Sequence, residues 1–150
     1  MARRYEKSSG WIVYRKKGKR IEILLLKWLN SRKQEELVIP KGKIEKWEVA
    51  KDTAIREIGE EAWIPVDDLE IIKFVTKLNY TYTAGYLKGT PVIDKDVYLF
   101  IVRYNGTQTP IVRKEERFTG YEWVDIEKVK NLSVRFDLSG IIYRNKPFFI

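Results

Sequence analysis

Glu57, Glu60 and Glu61 stand at i, i+3 and i+4 in a stretch with helical periodicity, so their carboxylates fall together along one edge of a helix. Like charges at that spacing repel by roughly a few tenths of a kcal/mol per pair unless something neutralises them. A divalent cation would do so. The chain has no His and no Cys, which leaves ionic chemistry to Asp, Glu, Lys, Arg and Tyr. Imidazole and thiolate metal ligands, cysteine nucleophiles, disulfides and every Ser-His-Asp or Cys-His scheme are excluded with them. Carboxylates alone favour hard, oxygen-seeking ions, and Mg²⁺ typically keeps several waters and takes further oxygens from substrate phosphates. The ligand set therefore points to phosphate chemistry. A solvated helix face can carry the same three residues, so the spacing of their neighbours has to weigh one reading against the other.

From Gly42, five residues lead to Glu48 and seven more to Arg56-Glu57, followed by Ile58, Gly59, Glu60, Glu61, Ala62, Trp63 and Ile64. This run resembles the Nudix box, G-x5-E-x7-R-E-U-x-E-E-x-G-U with U aliphatic. It matches at every fixed position except the last Gly, where Trp63 stands. The likeness continues outside the box in Ser9-Gly10 with Ile12 to Arg15, Leu24 to Leu26, Ile39 to Glu45, Lys95 to Phe100 and Tyr121 to Val124. Those segments look like the branch of the family that hydrolyses dinucleoside polyphosphates.

The resemblance implies an α/β/α sandwich with a mixed sheet, the box folding as loop-helix-loop. It implies a Mg²⁺-dependent hydrolase, with Mn²⁺ as substitute, that cuts a pyrophosphate bond in a nucleoside diphosphate-X substrate. Dinucleoside polyphosphate is favoured, with a nucleoside triphosphate or an RNA 5′ end close behind. Carried over residue by residue, Glu57, Glu60 and Glu61 are the implied metal ligands and the Gly42 carbonyl a further oxygen. Glu48 and Arg56 are implied to fix the loop against the helix by a salt bridge. Held by its ligands, the metal would offset phosphate charge and activate a water. Glu57 and Glu60 are the catalytic carboxylates of the box, and the base is left open between Glu57 and Glu116 or Glu115, in the loop before the last strand. Lys41, Lys43 and Lys95 are placed to hold the polyphosphate. Tyr80, Tyr82 and Tyr86 lie where this branch stacks a base, although strand tyrosines equally pack on their neighbours. A Nudix-like module that binds nucleotide or RNA without cutting is the other reading, and the complete glutamate set favours catalysis.

Three tryptophans depart from the pattern. Trp63 follows the helix where Gly is favoured because the backbone there often enters the left-handed region. Trp47 replaces a Gly common in the loop of this branch, and Trp11 stands where a small residue is usual. One cause would account for all three: glycine codons, UGA reassigned to Gly, read as Trp. UGG codons at 11, 47 and 63 would exclude it and leave a loop that has drifted.

These residues need elements to hold them. Gly10 to Arg15 and Ile21 to Trp28 read as a β-hairpin around Lys16-Lys17-Gly18-Lys19, and Leu37 to Ile39 as a short strand stopped by Pro40. Ala50, Ala54, Ile58 and Ala62 recur every fourth residue, with Ile55 beside them, which predicts an amphipathic helix over Glu48 to Ala62. Within it Asp52 and Arg56 are spaced to pair, and Pro65 bars continuation. Leu69 to Leu78, Val97 to Tyr104 and Tyr121 to Val124 read as strands. Asp125 is placed to cap a helix through Lys130, and Leu138 to Tyr143 forms another turn or two.

At 150 residues and 44% hydrophobic content, an α/β or α+β layered domain spanning residues 1–150 is expected. The start is basic but lacks an apolar stretch, and no run is long enough to span a bilayer, so a cytoplasmic monomer or homodimer with no membrane partner is the expectation. A formal charge of +8 would speed the arrival of phosphate-bearing ligands, and serves solubility equally well.

Overall fold

The β-branched and aromatic runs of the chain pair into one mixed sheet, and its helices fall on both faces. The computed structural model describes residues 3–62, 64–85, 87–112 and 117–150, apart from the side chains of Ala54 and Glu61. In chain order the elements are β1 (Arg3–Lys17), β2 (Arg20–Leu29), β3 (Glu35–Val38), β4 (Lys41–Lys43), α1 (Ala50–Ala62), β5 (Leu69–Thr83), β6 (Val92–Tyr104), β7 (Phe118–Asp125), α2 (Ile126–Val129) and α3 (Leu138–Arg144). Short 3₁₀ turns occupy Val66–Asp68, Arg135–Asp137 and Lys146–Phe148.

The strands run in the order β3-β2-β1-β6-β5, with β4 added to β1 and β7 to β2. β1 and β6 are parallel, and the other strand pairs are antiparallel. Because side chains alternate across a strand, the two faces build separate cores. One face sets Ile12, Tyr14, Leu25, Val97 and Leu99 against Ile126 and Val129 of α2 and Leu138 and Ile142 of α3. The other sets Trp11, Val13, Leu24, Phe100 and Val102 against Ile58 and Ala62 of α1. The layers are those of the expected α/β/α sandwich. Among the described side chains of α1, Ile58 is the one large group buried completely, worth about 2 kcal/mol, so polar ties at the start of the helix matter to its seating.

Several expectations are met closely. The first hairpin turns at Gly18, whose φ of 63° suits a residue without Cβ, and Asp125 caps α2 by accepting from the Glu127 N–H at 3.0 Å. Others need correction. β5 and β6 run well past the expected Leu78 and start well before Val97, because Asn79, a weak strand former, donates across the pair to Asp94 and Asp96 at 3.0 and 2.9 Å. Asp52 does not pair with Arg56: it is exposed, while the guanidinium turns the other way to acidic groups better placed for it. Among the described residues no helix is long and apolar enough to cross a membrane.

Candidate active site

The loop before α1 is tied to the helix by one charged group. Arg56 donates from Nε to Glu48 Oε2 at 2.8 Å and from one terminal nitrogen to Oε1 at 3.0 Å, a two-pronged pair whose acid is only 8% exposed. Glu48 also accepts from Thr53 Oγ1 and the Glu45 N–H, each at 3.2 Å. These bonds, those from Arg56 above all, hold the Glu48 carboxyl down at about 2 despite its burial, and Glu48 in turn raises the guanidinium above its ordinary value. The remaining guanidinium nitrogen reaches Glu57 Oε1 at 2.7 Å and Glu60 at 3.4 Å. Arg56 thus spans the loop acid and two of the box glutamates.

Glu57 is fitted against the backbone of β4. A Cβ placed on Gly42 would lie 2.2 Å from Glu57 Cγ and 2.3 Å from its Cδ, so the carboxylate can occupy this corner only because residue 42 is Gly. The carboxylate oxygens that Arg56 brings together there, from Glu57 and Glu60, suit a hard divalent cation. Among the described residues no three acidic groups already stand together as a metal site. The side chain of Glu61, the third glutamate of the set, lies outside them, as do Glu115, Glu116, Tyr86 and Trp63.

β4 divides its surroundings by alternation. Gly42 turns to α1, while Lys41 and Lys43 turn to the opposite face, the one that carries Lys95 and Tyr80. Lys95 is half-buried, and the loss of solvent lowers its pKa; the nearby Arg135 and Lys43 lower it further while Glu6 acts the other way. Lys41, Lys43, Lys95 and Arg135 therefore make a cationic group on that face.

Beside it opens a cleft of about 180 Å³ lined by Trp28, Val38, Ile39, Lys41, Phe118 and the turn Arg135–Phe136. Tyr80 stacks on Phe136 with ring centroids 4.6 Å apart and lies 6.0 Å from Tyr82. Lys41 Nζ sits 5.1 Å from the Phe136 ring, and the Arg135 guanidinium 4.8 Å from the Trp28 ring and 4.9 Å from that of Phe136. Phe136 and Asp137 both have positive φ, 64° and 56°, an unfavourable conformation for Phe that neighbouring packing must hold. Trp28, Arg135 and Phe136 went unnoticed in the sequence. They come from β2 and from a turn near the end of the chain, and no motif spacing joins them.

A sequence model of the NUDIX domain matches residues 4–144. The chain belongs to the Nudix family. Among curated proteins it is 29% identical over 105 residues to an RNA pyrophosphohydrolase from Sphingopyxis alaskensis, a match covering 65% of this chain and 66% of that protein, so it spans just under two thirds of the relative's length. Among solved structures it resembles a C. elegans Ap4A hydrolase in a binary complex, at TM-score 0.73 and 22% identity over 95% of this chain and 96% of that one. It also resembles the E. coli dihydroneopterin triphosphate pyrophosphohydrolase, at TM-score 0.70 and 18% identity over 94% and 96% of the two chains. Identities this low speak for the fold. Within this Nudix domain the box lies on the α1 face and Lys41, Lys43, Lys95 and Tyr80 on the other, while the cleft draws Trp28, Val38 and Phe118 from the α1-side core and Ile39 and Leu138 from the opposite one. The tryptophans that depart from the family pattern sit differently from one another. Trp11 is fully buried with its indole N–H unpartnered, and Trp47 is 82% exposed.

Proposed function

We propose that this chain is a divalent-metal-dependent pyrophosphohydrolase acting on a nucleoside diphosphate-X substrate, with a dinucleoside polyphosphate favoured. The observation that carries the reading is the division at β4: carboxylates on one side, cations and aromatic rings on the other, with one three-residue strand between. A polyphosphate is the ligand that needs both. The cleft is smaller than the roughly 300–1,000 Å³ that encloses a whole drug-sized ligand, so it suits one flat ring and leaves the phosphates outside, toward Lys41, Lys43 and Lys95. Phe136, backed on one side by Tyr80 with Tyr82 beyond it, offers its other face for a base.

Glu57, Glu60 and Glu61, with the Gly42 carbonyl, are the groups that would hold the metal. When bound, Mg²⁺ or Mn²⁺ would offset phosphate charge and lower the pKa of an attacking water. Glu48 and Arg56 keep the loop and helix in fixed relation, so that Glu57 stays against β4. The proton of the water goes to Glu116 or Glu115, or to Glu57 where that carboxylate is not itself a metal ligand.

A second reading, hydrolysis at an RNA 5′ end, is favoured by the match to a protein named RNA pyrophosphohydrolase and by the formal charge of +8. A panel separates the two. Phosphate and nucleotide release are measured on dinucleoside polyphosphates, nucleoside triphosphates and 5′-triphosphorylated RNA with Mg²⁺ and with Mn²⁺. The expected result is fastest cleavage of substrates with four or more bridging phosphates and none in excess chelator. A preference for RNA moves the assignment to the second reading, and turnover persisting in chelator overturns metal dependence.

A further inference from the structure

Ser9 is completely buried in β1, and its Oγ has no hydrogen-bond partner. An unpaired buried hydroxyl costs about 1–3 kcal/mol, so a site that keeps one calls for a reason. The strand pairing supplies it. Ser9 lies directly opposite Gly42 in the antiparallel β1–β4 pair, and opposed residues project from the same face with Cβ positions about 5 Å apart. The Cβ position of Gly42 is the space that Glu57 fills. On its other side Ser9 is matched with Tyr98 of β6, and Trp11, next along the same face, offers only an N–H donor.

We propose that Ser9 is a positioning residue for the active site: its hydroxyl donates to the Glu57 carboxylate, directly or through one water, and fixes the rotamer in which Glu57 meets the metal. The inference rests on the proposed function in taking Glu57 as a metal ligand. A carboxylate accepts about four hydrogen bonds, so a donor from the β1 side can act together with Arg56 from the helix side and aim both oxygens.

The test uses the full chain and two readouts: Mn²⁺ affinity measured by electron paramagnetic resonance without nucleotide, and kcat and KM on the best substrate of the panel. Ser9→Ala is expected to weaken Mn²⁺ binding three- to tenfold and lower kcat about tenfold, with KM within twofold and the melting temperature level or higher. Ser9→Cys, close in size with a weaker donor, should fall between and serves if the Ala variant folds poorly. Ser9→Ala added to Glu57→Gln should cost nothing further, since Ser9 acts through Glu57. Wild-type Mn²⁺ affinity and kcat in Ser9→Ala, or full additivity with Glu57→Gln, overturns the proposal. If Glu57→Gln alone moves neither readout, the assignment of Glu57 fails first and the Ser9 inference falls with it.

Discussion

The carboxylate corner at α1 and the aromatic cleft across β4 are built by opposite means. The corner is local: Gly42, Glu48, Arg56, Glu57 and Glu60 lie within 19 residues of chain, and a hydrogen-bonded arginine sets their relation. The cleft is assembled from β2, β3, β4, β7 and the turn at Arg135–Asp137, parts that only the fold brings together. The corner is acidic and the cleft bordered by cations, and on the proposed function chemistry and recognition fall to these two separate regions. Changes in the corner should therefore act on kcat and metal affinity, and changes in the cleft on KM.

The largest expected effect is in the corner. Glu60→Gln and Glu61→Gln keep size and helix propensity but remove charge, and turnover should fall by roughly a hundredfold or more while metal-free stability stays level or rises. Glu70→Gln, exposed on β5, is the control, and equal behaviour of Glu61→Gln and Glu70→Gln in the hydrolysis assay would defeat the assignment. Gly42→Ala comes next. Its Cβ would meet Glu57 at 2.2 Å, and displacing that carboxylate by about an ångström should lower kcat between ten- and a hundredfold with a smaller change in KM.

Phe136→Ala tests the other side. Losing one stacking face is worth about 1–3 kcal/mol, so KM should rise roughly tenfold with kcat within about twofold. A fall in kcat with KM unmoved would break the division between the two regions. The smallest effect concerns the tie that holds the corner together. Glu48 titrates at about 2 in the folded chain against an ordinary 4.5, so its pair with Arg56 stabilises fully above pH 4.5 and is lost as pH falls from there through 2. Denaturant midpoints should decline across that window, and Glu48→Gln should lower the midpoint at neutral pH while flattening the decline. An unchanged slope would place the acid sensitivity elsewhere.

The same contrast explains what could be read from the sequence. The box glutamates, Glu48 and Arg56 were legible because helical spacing and a contiguous motif compress their geometry into one dimension. So were the two-faced layering and the cap at Asp125, which follow from alternation and from local hydrogen bonding. The extensions of β5 and β6 were not legible, because what supports Asn79 in a strand is a pair of aspartates across the sheet. Arg135 and Phe136 were hidden for a further reason. Their placement depends on positive φ at Phe136 and Asp137, and Phe is not a residue that signals such a conformation. Asp52 misled because helical spacing permits an ion pair without choosing it over a better acceptor.

The three residues of β4 make the site sensitive to counting. A strand turns over with every shift of one residue, so a single deletion or insertion in the loops flanking Lys41–Lys43, if the pairing with β1 were kept, would aim two ammonium groups at Glu57 and leave the cleft with none. Changes of two residues would preserve the polarity. Homologous loops on either side of this strand should accordingly vary in length by even steps wherever β4 keeps its place against Ser8, Ser9 and Gly10, a parity rule that no single substitution could reveal.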